Sequence, residues 1–347
     1  MRAVIGASAC ALLSAVALAC GHADGSASAL PLKLVRDVPL PGRAVRFDYQ
    51  DVDLDARRLY IAHLGASEVE AVDLDRLAPT GVVDGVPDVH GVRVAPDRHQ
   101  VFATATGADE LVTIDTATLR IVSRAPTGRF PDGVAYDPGR HLVSVSNKDD
   151  GSETVVDPAT NRVLRTVRLA RETGNVVADP TTGTLLVAVR PPEELVAFDP
   201  STGSVTARIG LSGCRGAHGA AVDAPARRAY VACEDNARLA VVDLAARHQL
   251  SLERVGSAPD VLALDPDLHR LYVAAESGVV TVFAADGGGV RTLGRGRLAD
   301  RAHSVAVDGR THNVFFPLEN VAGRPVLRVM HPESARKNRA GQRKKRR

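Results

Sequence analysis

The amino-acid sequence predicts an all-β fold, a seven-bladed β-propeller of four-stranded antiparallel blades. Three observations support this prediction. Short apolar segments alternate with turn residues along the chain, no long segment has helical periodicity, and the pattern repeats about every 42 residues. Four short strands in a unit of about 40 to 45 residues are typical of a propeller blade.

The repeat is clearest in the second strand of each unit, where apolar tetrapeptides recur at a nearly constant interval. They occupy residues 59–62, 101–104, 143–146, 185–188, 229–232, 271–274 and 314–317, which gives seven copies. The third strands end in aspartates at the same interval, namely Asp73, Asp115, Asp157, Asp199 and Asp243. Turn residues follow these aspartates, as in Asp157-Pro158. The chain therefore contains seven equivalent units.

The seventh unit lacks one strand, because only residues 305–307, 314–316 and 326–329 supply strand-like segments there. The segment 32–40 lies before the first unit and has the composition of an outer strand. We therefore expect pairing of the N- and C-terminal strands to close the propeller. Closure of the ring protects the strand edges that an open sheet would expose.

The second strands 59–63 (Leu-Tyr-Ile-Ala-His) and 271–275 (Leu-Tyr-Val-Ala-Ala) resemble the Y-V-(T/A)-N strand of the YVTN (YncE-like) propeller family, and Asn147 stands at the position of the family Asn. The resemblance covers residues 32–332. It implies a seven-bladed propeller in an extracytoplasmic setting and no single activity. The chain has no tryptophan, so the Trp-Asp signature of WD40 blades is absent from its sequence.

The N-terminus indicates export. Residues 1–19 have the apolar composition of a signal peptide, and Ala17-Leu18-Ala19-Cys20 fits either ordinary signal cleavage or lipidation of Cys20. Lipidation is favoured because it leaves Cys214 and Cys233 as an even pair in an oxidising compartment. We expect a protein of the periplasm or cell envelope, anchored through Cys20 as a lipoprotein, with residues 20–31 as a linker before the propeller.

Charge is distributed unevenly. Residues 333–347 contain eight Lys or Arg and one acid, so this tail carries +7, and the remainder carries −5 because the whole chain carries +2. We expect residues 333–347 to form a disordered basic tail. The acidic body and the aromatic content of 3% argue against nucleic-acid binding. The expected partners are a small ligand or an envelope protein, with membrane contact only through the lipid anchor, and the chain is expected to be monomeric.

A polar residue precedes the first strand of nearly every unit. The seven occupants of this position are Asp48, His90, Asp132, Gly174, His218, Asp260 and His303. The first strand of a blade is innermost, so these residues are expected to form a ring at one mouth of the central channel. His63 ends the second strand of the first unit and is expected beside Asp48.

Three functions are compatible with this ring. The leading hypothesis is a binding scaffold for a small ligand, a metal ion or a protein partner. Imidazole and carboxylate groups suit a divalent transition metal, Cu or Zn, with His90, His218 and His303 as the tentative ligands. The same mouth fits a metal-assisted, lactonase-like hydrolase, whose catalytic residues are not assigned. A purely structural interaction module is the third hypothesis.

Cys214 and Cys233 are expected on the same face as the ring, because one enters the fifth unit and the other ends its second strand. An exported protein favours a disulfide between them. The alternative is a thiolate that joins a histidine copper site.

Overall fold

The computed structural model describes residues 29–286 and 288–333. The expected signal peptide, Cys20 and all of the basic tail after Glu333 lie outside the described residues. Within them, the chain forms seven four-stranded antiparallel sheets, which we number as blades 1 to 7. This arrangement confirms the predicted seven-bladed β-propeller.

The strands of each blade, from innermost to outermost, have the following bounds. Blade 1 contains β2 (Gln50–Asp53), β3 (Arg58–His63), β4 (Glu68–Asp73) and β5 (Ala78–Asp84). Blade 2 contains β6 (Val89–Ala95), β7 (Gln100–Ala105), β8 (Glu110–Asp115) and β9 (Arg120–Pro126). Blade 3 contains β10 (Pro131–Asp137), β11 (Leu142–Asn147), β12 (Ser152–Asp157) and β13 (Arg162–Arg168).

The remaining blades follow the same order. Blade 4 contains β14 (Glu172–Asp179), β15 (Thr184–Arg190), β16 (Glu194–Phe198) and β17 (Val205–Gly210). Blade 5 contains β18 (Ala217–Asp223), β19 (Arg228–Cys233), β20 (Arg238–Asp243) and β21 (His248–Arg254). Blade 6 contains β22 (Pro259–Asp265), β23 (Arg270–Ala275), β24 (Val279–Ala284) and β25 (Arg291–Arg297). Blade 7 contains β26 (Ala306–Asp308), β27 (Asn313–Val321), β28 (Arg324–Pro332) and β1 (Leu32–Pro39).

Blade 7 closes the ring as expected. Its outermost strand is β1, which pairs with β28 from Leu32 opposite Pro332 to Pro39 opposite Val326. Arg328 donates from Nε and Nη2 to the two carboxylate oxygens of Asp37, at 2.8 and 2.6 Å. The first and last strands of the described chain are thus held in one sheet.

The hydrophobic core lies between consecutive blades. The tyrosines of the repeated second strands, Tyr60, Tyr230 and Tyr272, are almost completely buried there. The repeated tetrapeptide is therefore a packing motif, since both faces of each sheet are covered by a neighbouring blade. No helix in residues 29–286 or 288–333 is long and apolar enough to cross a membrane.

Cys214 and Cys233 form a disulfide, with their Cα atoms 5.3 Å apart. It ties the loop before β18 to the end of β19. The predicted disulfide is confirmed, and the alternative of a free thiolate in a copper site is wrong.

Candidate functional site

The ring residues lie where the chain enters each innermost strand, and their side chains converge across the channel. The Nδ1 atom of His303 in blade 7 lies 2.8 Å from Oδ2 of Asp260 in blade 6. The Nε2 atom of His218 in blade 5 lies 3.4 Å from Oδ1 of the same Asp260 and 4.0 Å from Oδ2 of Asp132 in blade 3. We call Asp48, His90, Asp132, His218, Asp260 and His303 the mouth cluster.

His303 is held through both ring nitrogens. Its Nε2 lies 3.1 Å from the carbonyl oxygen of Phe47, which can only accept, so Nε2 carries a hydrogen. Its Nδ1 contacts the Asp260 carboxylate. Burial alone would lower the pKa of His303, but the hydrogen bond and the charge of Asp260 raise it. We therefore interpret the contact as an ion pair between a protonated imidazole and a carboxylate.

Asp260 is the acceptor at the centre of the cluster. Burial favours its neutral form, but hydrogen bonds from His218 and His303 outweigh burial and hold its pKa well below the usual range. Burial alone would also lower the pKa of His218, but the neighbouring Asp260 and Asp132 carboxylates raise it. The Nδ1 atom of His218 is buried and has no hydrogen-bond partner among the described residues.

Asp48 is the least satisfied carboxyl group of the cluster. It is only 3% exposed, and its Oδ1 atom has no hydrogen-bond partner within the described part of the chain. Its Oδ2 atom lies 3.9 Å from Nη2 of Arg46 and 3.9 Å from Nε2 of His90. Burial, together with repulsion from Asp260, raises the pKa of Asp48 to about 7. The cluster thus contains a buried acceptor that the protein itself leaves unpaired.

His90 is the most exposed member of the cluster, with 17% of its side chain exposed. Its Nδ1 atom lies 2.8 Å from the carbonyl oxygen of Asp88 and 2.8 Å from Oγ1 of Thr106. Because a carbonyl can only accept, Nδ1 carries the hydrogen. In the neutral imidazole, Nε2 therefore keeps a lone pair on the side of Asp48.

The mouth cluster depends on glycines that follow or replace ring residues. A Cβ atom at Gly91 would lie 2.4 Å from the Asp132 carbonyl oxygen, and one at Gly219 would lie 1.8 Å from the Asp260 carbonyl oxygen. At the ring position of blade 4, a Cβ atom on Gly174 would lie 2.6 Å from the Cα atom of His218. The innermost strands approach so closely there that no side chain fits.

The pairing register shifts at the same place in blades 2 to 6, which is the geometry of a β-bulge. A bulge re-aims the preceding side chain toward the channel. The sequence carries a signal for it, since Gly91, Gly133 and Gly219 each directly follow a ring residue.

Three members of the cluster form a group suited to a metal ion. Asp48, Asp260 and His303 each offer one donor atom, and these atoms lie within 4.8 Å of one another. Among the described residues, this is the one group of three or more His, Cys, Asp or Glu side chains with that geometry. It shares only His303 with the tentative ligand set His90, His218 and His303. The ring residues Asp48 and Asp260 supply the other two donor atoms of the group.

His63 lies behind the cluster. Its ring stacks on Phe47, with the ring centroids 4.1 Å apart. Its Nδ1 atom lies 2.7 Å from Oε1 of Glu70, although the two groups are not aligned as a hydrogen bond. Burial raises the pKa of Glu70. His63 therefore supports Phe47, whose carbonyl oxygen orients His303.

Tyr49 and Asn175 border the cluster on its inner side, and neither is among the residues predicted from the sequence. The Tyr49 hydroxyl donates to Oδ1 of Asp260 at 3.3 Å, and Nδ2 of Asn175 donates to the Tyr49 hydroxyl. Tyr49 thus joins blade 1 to blades 4 and 6 across the channel. No periodic pattern marked these residues, because Tyr49 and Asn175 occupy the position that is glycine in three other blades.

The fold and the cluster together define a seven-bladed propeller with a polar, largely buried channel mouth. A solved structure of Kuenenia stuttgartiensis hydrazine synthase is similar to it, with a TM-score of 0.67 and 16% sequence identity over 89% of this chain and 99% of that chain. At this identity the similarity shows the fold alone. No family model and no curated protein matches the chain, so the resemblance to YVTN propellers stays a prediction.

Proposed function

We propose that the protein is an exported binding scaffold that holds a divalent transition-metal ion at the mouth of its channel. The observation that carries this proposal is the convergence of Asp48, Asp260 and His303 from three blades. Propellers commonly serve as binding scaffolds, and the composition of residues 1–19 supports export.

The spacing of the donors supports a shared ion. Metal–nitrogen and metal–oxygen bonds are about 2.0 to 2.2 Å long, so two neighbouring ligand atoms on one ion are about 3 Å apart. The Nδ1 atom of His303 and the Oδ2 atom of Asp260 are 2.8 Å apart. In the protonated pair, the Nδ1 hydrogen stands where the ion would bind, and metal binding displaces it.

The surroundings of His303 support the same conclusion. A metal-binding imidazole usually donates its other N–H to a carbonyl or a carboxylate, which fixes the ring. In this protein Nε2 of His303 makes that contact to the Phe47 carbonyl. The unpaired Oδ1 atom of buried Asp48 supplies a third donor.

The donor set favours an ion that accepts both nitrogen and oxygen ligands, and Zn²⁺ is the appropriate probe. The case for copper was partly a thiolate ligand, and the disulfide between Cys214 and Cys233 removes it. A metal-assisted hydrolase at the same cluster stays a prediction.

Metal content after loading tests the proposal. Purified protein is incubated with Zn²⁺, desalted and measured by inductively coupled plasma mass spectrometry. Wild type should retain about one ion per chain, and Zn²⁺ should raise its melting temperature, because an ion that binds only the folded state stabilises it. Asp48→Asn and His303→Gln should each lose both effects.

The matched control is His269→Gln, which changes an exposed histidine in the turn between β22 and β23, away from the cluster. It should keep wild-type metal content. Retention of zinc by folded Asp48→Asn and His303→Gln would contradict the proposed ligands. Failure of wild type to take up any divalent transition metal would contradict the metal-binding function.

A further inference from the structure

A cavity lies inside the channel, on the other side of Tyr49 from the mouth cluster. Its volume is about 320 Å³, and its walls come from the innermost strands of all seven blades. Small-molecule sites usually have volumes of roughly 300 to 1,000 Å³. Most of the lining residues are aliphatic, among them Val92, Val134, Val176, Val261 and Val305, and polar atoms also face the cavity.

Two oppositely charged side chains lie among these aliphatic residues. Asp51 lies on β2 and Arg93 on β6, with Nη1 of Arg93 3.4 Å from Oδ2 of Asp51. The Nε atom of Arg93 is buried and has no hydrogen-bond partner in residues 29–286 or 288–333. The pair is loose, so the guanidinium keeps donors that the protein does not use.

The acceptors around the cavity are also incompletely used. The Asp51 carboxylate accepts one backbone N–H at each oxygen, from Val52 at 3.0 Å and from Val94 at 2.8 Å, and each oxygen can accept another. Gln50 and Asn175 also line the cavity and add polar groups to its wall.

We propose that this cavity binds a small zwitterion, an α-amino acid with an aliphatic side chain. The ligand carboxylate accepts hydrogen bonds from the Arg93 guanidinium, whose fork geometry matches it. The ligand ammonium group donates to the Asp51 carboxylate, whose two oxygens can each accept a further hydrogen bond. The aliphatic side chain lies against the valines of the wall and is removed from water.

Charge balance distinguishes this ligand from simpler ions. Asp51 and Arg93 together have no net charge, so a lone carboxylate meets the repulsion of Asp51 and a lone amine meets that of Arg93. A zwitterion places each charge against its opposite. The Arg93 side chain is 38% exposed and that of Asp51 is 23% exposed, so solvent reaches this pair while the mouth cluster is almost closed. The ligand therefore enters from the face opposite the mouth cluster, and the inference does not depend on a metal ion.

Isothermal titration calorimetry with three probes of similar shape tests the proposal. L-valine carries both charges, 3-methylbutanoate lacks the ammonium group, and isobutylamine lacks the carboxylate. Wild type should bind L-valine at least about tenfold more tightly than either analogue. Equal or tighter binding of an analogue, or no binding of any small aliphatic amino acid, would overturn the proposal.

Two variants separate the roles of the charges. Arg93→Gln should weaken L-valine binding by about tenfold or more. Asp51→Asn should weaken L-valine and strengthen 3-methylbutanoate, because it removes the repulsion that the lone carboxylate meets. A merely structural role for Asp51 would weaken both probes.

The matched control is Arg124→Gln, which removes an arginine that is paired with Glu110 at 2.8 Å on the outer part of blade 2. It should leave the binding of all three probes unchanged. Thermal melts establish that each variant is folded before titration. Equal loss of L-valine binding in Arg93→Gln and Arg124→Gln would contradict the assigned role of Arg93.

Discussion

At the scale of single residues, Glu153 shows how far burial alters a side chain that neither proposed site uses. It lies fully buried in β12, and the hydroxyls of Ser144 and Ser146 donate to its two oxygens at 2.6 and 2.5 Å. Burial raises the pKa of Glu153 to about 8, although both hydroxyl hydrogen bonds act in the opposite direction. The carboxyl group is therefore mostly protonated at neutral pH in the folded protein.

The sign of the resulting pH dependence follows from linkage. An unfolded glutamate loses its proton near its ordinary pKa of about 4.3, and the folded state holds it until about pH 8. The stabilisation that protonated Glu153 contributes is fully present below the pKa of the unfolded state, and it is lost as pH rises through the pKa of the folded state. The upper limit of this contribution is on the order of 5 kcal/mol, since each pKa unit corresponds to about 1.4 kcal/mol.

We predict that Glu153→Gln flattens this pH dependence. The amide is neutral at every pH and nearly isosteric, so the variant should gain stability relative to wild type between about pH 5 and pH 9. Urea unfolding at several pH values measures the difference. Glu110→Gln at the partly exposed end of β8 serves as the control, and a variant curve parallel to wild type would show that Glu153 does not titrate in this range.

At the scale of elements, the innermost strands are placed by backbone-to-backbone contact near the mouth. Gly219 in β18 lies against the Asp260 carbonyl of the next blade, and Gly91 in β6 lies against the Asp132 carbonyl. A glycine in a strand weakens the strand locally, but it allows this approach. The same contacts hold the backbone of the residues whose side chains form the mouth cluster.

We predict that Gly219→Ala destabilises the protein by about 3 kcal/mol or more, because overpacking of a rigid contact forces backbone shifts. The added methyl group would lie 1.8 Å from the Asp260 carbonyl oxygen. Denaturant unfolding measures the change. Gly210→Ala is the matched control in another strand, since a Cβ atom there has nothing within 4 Å, and a loss equal to that of Gly219→Ala would contradict the explanation.

At the scale of the whole molecule, β1 decides whether the ring closes. It supplies the outer strand of blade 7, and Val38 packs with Leu327 and Phe315 in the core between blades 7 and 1. Without β1, the edge of β28 would be unpaired and this core would open to water. The two ends of the described chain therefore stabilise all seven blades together.

We predict that deletion of residues 29–40 lowers the melting temperature strongly and broadens the unfolding transition. Blade 7 would lose a complete ladder and its Asp37–Arg328 ion pair. Circular dichroism melts and limited proteolysis measure the effect. Removal of residues 334–347, which follow the last strand, is the control and should leave the melt unchanged, whereas an unchanged melt after deletion of residues 29–40 would contradict closure by β1.

Much of the candidate site could be predicted from the repeat. A constant interval assigns equivalent positions to one structural ring, so Asp48, Asp260 and His303 were identified without coordinates. Their pairing across blades could not be predicted in this way. It depends on rotamers and on the bulges beside Gly91 and Gly219, which a strand period does not encode. The stacking of His63, which was expected beside Asp48, on the Phe47 ring could not be predicted in this way either.

The sequence by itself determined the number of blades, the closing strand and the positions that face one mouth. These features follow from a local pattern of residues that recurs in every unit. Only the tertiary structure decided that two carboxylates and one imidazole come together, and that Tyr49 separates this cluster from a cavity containing Asp51 and Arg93. Such contacts join blades that are far apart in the chain, so they exist only once the ring has closed.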